Sequence, residues 1–372
     1  MNPFHLIGLA LLAGASAMAQ AQDATVRIGV AAPLTGPIAH LGRDMENGAR
    51  LAIEDLNARM PSIGGRRVRF EAVVEDDRAD PAAATSVAQK FADMKLNGIV
   101  GHLNSGTTIP AARIYNEAGL PQVAPAATNP QYTRAGYRYA ARLMATDIQQ
   151  AEGIAGFIGR TLKATTAAVV DDRTAYGQGL ADQVVADLGK AGIRITRREF
   201  TTDRATDFSA ILTTIRATRP DVIVYAGADA QAALMNRQMK QLGIASNFVA
   251  GDGVCTGEWS KLAAGANEGA YCSQAGAPRE AMSAFANFNR RYKARFGSEV
   301  VIFAPYAYDA VMVLFEAMTK SGSTDPSVYG PQLAKVEVKG LIGPIRFDAH
   351  GDNLHGVVTM YQVRGGKLEA LR

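Results

Sequence analysis

The sequence predicts an α/β protein of two similar lobes, each a parallel sheet covered by helices. Three observations carry this expectation. Short β-branched runs alternate with longer amphipathic segments, the pattern of strands joined by helical crossovers. The alternation comes as two series in tandem, one starting near residue 26 and the other near residue 166. The chain has 372 residues, 48% of them hydrophobic, enough for two domains that each bury a core.

Ahead of the first strand, Met1–Gln22 carries no Lys, Arg, Asp or Glu. Its apolar run Leu6–Ala13 has the length of a signal-peptide core and is too short to span a bilayer. Ala17-Met18-Ala19 and Ala19-Gln20-Ala21 both satisfy the small-x-small rule, so residues 1–21 are expected to be a leader removed on export. No later segment reads as a membrane span, because the longest apolar run, Val311–Phe315, is bounded by Asp309 and Glu316.

The first series places strands at Val26–Ala31, Arg67–Glu75, Gly98–Gly101, Gln122–Ala124 and Tyr139–Leu143. The second places them at Thr166–Asp171, Ile193–Phe200, Asp221–Ala226 and Asn247–Ala250. Leu41, Met45, Ala49, Ala52 and Leu56 share one helical face, as a helix packed on a sheet requires. Asp80-Pro81 reads as an N-cap followed by proline at the first helical position, opening a helix towards Lys95. Asp207 is expected to cap Phe208–Ala217, and Pro305 to open Tyr306–Met318. From Pro278 onward come two more helices and a strand around Ile342–Phe347. An extra helical pair after a completed second sheet implies that the chain returns to the first lobe. Repeated crossings make a hinge, and the cleft beside it is where a ligand would sit.

Composition and motifs narrow the function. The 39 basic and 35 acidic side chains are interspersed, so a net charge of +4 leaves no nucleic-acid footprint. Cys255 and Cys272 are the only cysteines, and in an exported protein an isolated pair reads as a disulfide, worth about 3 kcal/mol for a loop of this size. Neither has a histidine or second cysteine at metal-ligand spacing. The chain has no G-x-S-x-G elbow, no phosphate-binding G-x-x-x-x-G-K-[ST] and no H-E-x-x-H helix, and its five histidines are scattered. Asp76-Asp77 and Asp171-Asp172 could act as acid and base, but carboxylates just past a strand end more often cap a helix or face solvent. No catalytic residue, metal or cofactor is expected.

Binding residues stand out at strand ends, where open α/β sheets collect ligands near helix N-termini. Gly98–Gly101 leads into Leu103-Asn104-Ser105-Gly106-Thr107-Thr108 and a helix expected over Ile109–Ala118. Hydroxyls at that helix start would suit a carboxylate, or Ser105 or Thr107 is only the N-cap. Pro125-Ala126-Ala127-Thr128 follows the next strand with another hydroxyl. In the second series, Asp171-Asp172 leads to Tyr176, an aromatic in a strand-to-helix loop. Asp252 lies between Gly251 and Gly253 at a strand end, which turn chemistry alone would also explain.

With these motifs goes a more specific pattern. Pro33-Leu34-Thr35-Gly36-Pro37, Asp76-Asp77-x-x-Asp80-Pro81, Gly101-His102-Leu103-x-Ser105 and Pro125-Ala126-Ala127-Thr128 occur in this order. Tyr176-Gly177-x-Gly179-Leu180, Asp207-Phe208-Ser209, Gly251-Asp252-Gly253-Val254 and Pro305-Tyr306-Ala307 follow. The mature chain thereby resembles the leucine/isoleucine/valine-binding proteins of ABC importers, of the type I periplasmic binding fold. The resemblance implies two Rossmann-like lobes joined by three crossings, with residues 24–144 and 275–350 in one and 145–274 and 351–372 in the other. It implies a monomer that closes on an amino acid and docks an inner-membrane permease. Ser105 and Thr128 would hold the ligand carboxylate, with backbone groups of Leu103 and Ala126. Tyr176 would cover the ligand, and Asp252 would meet its α-ammonium, with Asp229 assisting if its loop turns inward.

Departures from the family pattern concern the side-chain pocket. A family aromatic falls on Leu41, and a tyrosine near the amine falls on Ala228; both changes would enlarge the pocket. The disulfide of leucine-type members would fall on Ala79 and Asn104 and is therefore lost. The resemblance implies a branched-chain or other hydrophobic or aromatic amino acid as ligand. The alternatives are a sensor on the same fold, binding an amide, urea or aromatic carboxylate, and a secreted hydrolase, which would consume its ligand.

Overall fold

The computed structural model describes residues 23–282 and 284–371, so the expected leader lies outside the described residues. The first sheet collects β1 (Ala24–Ala32), β2 (Ser62–Ile63), β3 (Arg66–Asp76), β4 (Gly98–Gly101), β5 (Gln122–Ala124) and β6 (Ala140–Arg142), in the order β2-β3-β1-β4-β5-β6. The second collects β7 (Thr166–Asp171), β8 (Arg194–Phe200), β9 (Val222–Ala226), β10 (Asn247–Ala250) and β11 (Tyr271–Gln274). After a separate hairpin of β12 (Glu337–Gly340) and β13 (Gly343–Arg346), β14 (Thr359–Arg364) and β15 (Lys367–Ala370) extend it to β15-β14-β11-β10-β9-β7-β8. Each sheet contains five parallel strands in the same internal order, with the first strand of its series between the second and third. The order reverses beside β1 and beside β7, and crevices at such reversals bind ligands.

Around the first sheet lie α1 (Ala39–Ala58), α2 (Pro81–Asp93), α3 (Ser105–Glu117) and α4 (Gln131–Arg134). Around the second lie α5 (Asp147–Arg160), α6 (Ala175–Lys190), α7 (Ser209–Thr218), α8 (Asp229–Gln241) and α9 (Gly257–Ala263). The chain then builds α10 (Phe285–Phe296), α11 (Ala304–Ser321) and α12 (Pro326–Tyr329), and α11 packs along α1 in the core of the first lobe. Gly48 allows that approach, since a Cβ there would fall 2.1 Å from the carbonyl oxygen of Ala304. Buried Asp44 on α1 accepts the backbone N–H groups of Val301, Ile302, Phe303 and Ala304 at 2.6–3.0 Å, an anion on the positive end of α11.

The three passages between sheets, after β6, after β11 and after β13, run side by side. Ala145 N–H bonds Ala275 O at 3.2 Å, and Arg142 N–H bonds Gly351 O at 2.9 Å. Fully buried Arg142 also reaches Asp352 in the third passage and the carbonyls of Ala127 and Asn129 in the loop after β5. One guanidinium thus ties the hinge to a loop bordering the cleft.

Local expectations fare unevenly. Asp80 caps α2 through Ala83 N–H at 2.8 Å, with Pro81 at its first position. The N-cap of α7 is Phe208 and not Asp207, whose carboxylate instead bonds Ser209 N–H at 2.9 Å from one residue further out. α3 begins at Ser105 instead of Ile109, because the hydroxyl-rich stretch itself winds into the first turn. β11, β14 and β15 have no counterpart in the expected strands.

Candidate functional site

Between the carboxyl ends of the two sheets lies a cavity of about 210 Å³. Leu41, Leu103, Ser105, Ala126 and Thr128 line it from the first lobe, and Tyr176, Ala228 and Asp252 from the second. All eight residues singled out in the sequence therefore meet here. Ile38 and Phe303 add apolar surface, the latter held by the Asp44 contacts.

Ser105 is the first residue of α3, preceded by Asn104 at the N-cap position. The Thr107 hydroxyl turns back to Asn104, so neither Ser105 nor Thr107 is the helix cap. Ser105 Oγ accepts the N–H of Asn129 at 3.2 Å, which leaves its proton to donate elsewhere. A helix start also supplies N–H groups without intrahelical acceptors. Thr128 Oγ is buried and has no hydrogen-bond partner among the described residues. Two hydroxyls and a helix start thus converge on one wall of the cavity.

The opposite wall is built around Asp252, in a short 3₁₀ turn after β10. Its Oδ1 accepts from Tyr176 Oη at 2.8 Å and Gln150 Nε2 at 2.9 Å. Gln150 closes the clamp by accepting Asp252 N–H at 2.9 Å and the Ser273 hydroxyl at 2.6 Å. Among the described residues, Oδ2 receives no hydrogen bond. Burial pushes the carboxyl above its usual range, against the donors from Gln150 and Tyr176 and the backbone N–H groups of Asp252 and Gly253. The Tyr176 hydroxyl also takes Gly253 N–H at 3.2 Å, so its polar end serves Asp252 while the residue lines the cavity.

Behind Thr128 sits Asp147, the first residue of α5, fully buried, with neither carboxyl oxygen hydrogen-bonded among the described residues. Burial raises it to about 7, and Asp252 adds to the rise. The Thr128 hydroxyl and Arg142 pull the other way, the hydroxyl close to the carboxyl but outside hydrogen-bond geometry.

Asp229 does not turn towards the cavity as an assistant to Asp252. Its Oδ2 is committed to the Thr256 hydroxyl at 2.7 Å and to His40 Nε2 at 2.8 Å. His40, Gln150 and Asp147 were not singled out in the sequence; only the turn composition around Asp147 carried a helix-start signal, Thr146-x-x-Gln149, which forms a capping box.

The remaining acidic pairs make local contacts, and Asp172 also lines the cavity. Asp77 binds His102 at 2.7 Å, and His102 reaches Tyr115 at 3.0 Å, all buried. Asp76 holds Leu34 N–H and the Thr35 hydroxyl, and Asp172 holds Thr174. Cys255 and Cys272 form a disulfide with Cα atoms 5.4 Å apart, anchoring the residues after the Asp252 turn to β11. Among the described residues no cluster of potential ligands could hold a metal, and no helix is long and apolar enough to cross a membrane.

Known proteins resemble this chain over nearly its whole length. The family model described as periplasmic binding protein matches residues 25–367. A Leu/Ile/Val-binding protein homolog of Brucella abortus is 33% identical over 92% of this chain and 91% of its own. The leucine-, isoleucine-, valine-, threonine- and alanine-binding protein of Pseudomonas aeruginosa is 30% identical over 96% of this chain and 95% of its own. A leucine-binding protein of Thermotoga maritima superposes with a TM-score of 0.86 at 29% identity, covering 93% of this chain and 98% of that one. The chain belongs to the periplasmic binding protein family, in the Leu/Ile/Val-binding group, whose members bind their ligands and do not catalyse reactions.

Proposed function

We propose that this protein captures an α-amino acid with a branched aliphatic or other apolar side chain and delivers it to the inner-membrane permease of an ABC importer. Export to the periplasm, with residues 1–21 removed, and a monomeric state belong to the same reading. One observation supports it above the others: hydroxyls on one wall face a buried carboxylate on the other with apolar side chains beside them, while Arg78, Asp80, Asp172, Asp203 and Arg204 also line the cavity. The Ser105 and Thr128 hydroxyls suit a carboxylate, and the buried carboxylate of Asp252, whose two side-chain donors both use Oδ1, suits an ammonium. Leu41, Ala228, Ile38 and Phe303 offer only hydrocarbon to what lies between. Relatives named for binding leucine, isoleucine and valine fit that division.

A thermal-shift and calorimetry panel tests the reading: leucine, isoleucine, valine, phenylalanine, 4-methyl-2-oxopentanoate, benzoate, acetamide and urea. An amino acid at a hundred times its Kd should add about 2.7 kcal/mol of stability. A preference for the keto acid, benzoate or an amide over every amino acid would overturn it in favour of a carboxylate or amide sensor. Loss of the bound compound during the titration would point to a hydrolase.

A further inference from the structure

His40 and Asp229 meet across the cleft. His40 lies in the first turn of α1, in the first lobe, and Asp229 is the first residue of α8, in the second. Their separation is 2.8 Å, with the Asp229 side chain fully buried and that of His40 29% exposed. Their neighbours Ile38, Leu41 and Ala228 line the cavity, so the pair stands at its edge. Asp229 keeps the Thr256 hydroxyl on its own lobe through the same Oδ2, and its Oδ1 has no hydrogen-bond partner among the described residues. A ligand enters such a site only if the lobes part, and parting separates His40 from Asp229 while leaving Thr256 in place. The contact therefore exists only when the cleft is closed.

We propose that His40 is a positioning residue that holds the cleft shut through Asp229, so that ligand capture is coupled to uptake of a proton by its ring. The inference rests on closure over an amino acid, the function proposed above. A neutral ring can donate from Nε2, but an imidazolium adds a charge to the same hydrogen bond, which then becomes shorter and stronger. The groups facing His40 are all acidic: Asp229 on α8, Glu258 on α9 and Asp44 on α1. Burial opposes the charged ring, and these carboxylates outweigh it, so the pKa is raised in the closed form. Tyr225, which also senses Asp229, stays neutral because burial pushes its hydroxyl well up. The sign follows. A histidine with a raised closed-state pKa favours closure fully below its open-state value, about 6.5, and loses that contribution as pH rises through the closed-state value.

The wild-type profile alone would not isolate this effect. Asp252, Asp147 and Asp172 carry raised pKa values, and as pH falls they lose the charge that an ammonium needs. The comparison is therefore between the wild type and His40→Gln, in which those three carboxyls are common. With leucine as probe, calorimetry from pH 6 to pH 9 should show His40→Gln binding about three- to tenfold more weakly at pH 6 and nearly equally at pH 9. Titrations near pH 7 in buffers of different ionisation enthalpy should show net proton uptake reduced in the variant. Asp229→Asn should flatten the difference too, and the double variant should be no worse than Asp229→Asn.

A pH-independent loss, no loss, or additive effects in the double variant would overturn the proposal. If leucine does not bind at all, the functional reading fails first. The proposal is then decided by the His40 ring signal in NMR titration of the protein saturated with whichever compound of the panel above does bind and close the cleft. A pKa that falls towards 6.5 or below in Asp229→Asn supports the contact, and an unchanged one refutes it.

Discussion

Replacing Asp252 with asparagine separates ligand recognition from turn formation at one atom. The carboxylate is 3% exposed, and its two donors, Tyr176 Oη and Gln150 Nε2, both use Oδ1. Asparagine has the same shape and can keep its carbonyl oxygen on those donors. Its amide nitrogen then stands where Oδ2 stood, presenting N–H groups to an ammonium that needs an acceptor. Stranding one partner of a buried pair costs about 3–5 kcal/mol. At about 1.36 kcal/mol per tenfold, leucine affinity should fall at least a hundredfold and approach a thousandfold or more. The ligand-free protein should behave oppositely. Burial raises the Asp252 pKa, so the ionised group weighs against the fold near neutral pH, and a neutral amide removes that cost. Calorimetry with leucine and 4-methyl-2-oxopentanoate, alongside melting of the ligand-free variant, makes the check. Affinity for the keto acid, which has no ammonium, should change little. Unchanged leucine affinity with a lower melting temperature would make Asp252 only a turn residue, and the amino-acid reading would be refuted.

Other variants probe the facing wall and its supports. Ser105→Ala should weaken leucine binding about ten- to a hundredfold, the worth of about 1.5–3 kcal/mol for a hydrogen bond to a charged group. Thr128→Val should give a similar loss by calorimetry and leave ligand-free stability unchanged or higher, because the hydroxyl it removes has no partner among the described residues. A loss of melting temperature with intact affinity would contradict both. Asp147→Asn should stabilise the ligand-free protein at pH 8 and leave it unchanged near pH 4, as urea unfolding at the two pH values would show. A buried carboxyl raised to about 7 destabilises the fold progressively as pH rises from about 4 to about 7. The gain at pH 8 is at most about 4 kcal/mol. Breaking the Cys255–Cys272 bridge should cost about 3 kcal/mol in urea unfolding. Equal stability of the reduced and oxidised protein would refute that.

What was legible in the sequence followed from strand ends. β1, β4, β5, β7, β9 and β10 are mostly β-branched or apolar runs bounded by turn residues, β3 and β8 mix such residues with charged ones at the sheet's outer side, and the residues that follow these strands line the cavity. Helices hid more. His40 and Gln150 lie on amphipathic segments where polar residues ordinarily face water, and only the approach of the other lobe or of the Asp252 turn gives them partners. Asp44 looked like another solvated helix residue until α11 returned to place four N–H groups on it. β11 is four residues long with two polar ones, too short for periodicity to reveal. β14 and β15 did leave a signal, since Gly365-Gly366, both at positive φ, form the two-residue turn of a hairpin.

The same division explains why the sequence spoke more clearly about a ligand's head group than about its side chain. Polar groups buried at a site discriminate strongly, because a ligand lacking the matching atom leaves them unpaired, and such sites reject analogues by about 10⁴–10⁵. Ser105, Thr128 and Asp252 are such groups, and each is a conspicuous residue type at a strand end or helix start. A hydrocarbon wall separates ligands differing by one methylene by only about 10- to 200-fold. Leu41 and Ala228 make such a wall where the family pattern has aromatic rings, and small residues close to a ligand exclude less than rings do. The head group should therefore be selected strictly and the side chain loosely. Leucine, isoleucine and valine should fall within about two orders of magnitude of one another, while removal of either charge should cost more than any change of aliphatic side chain. A site that ranked the three aliphatic amino acids more steeply than leucine against its keto acid would contradict this assignment of the two walls.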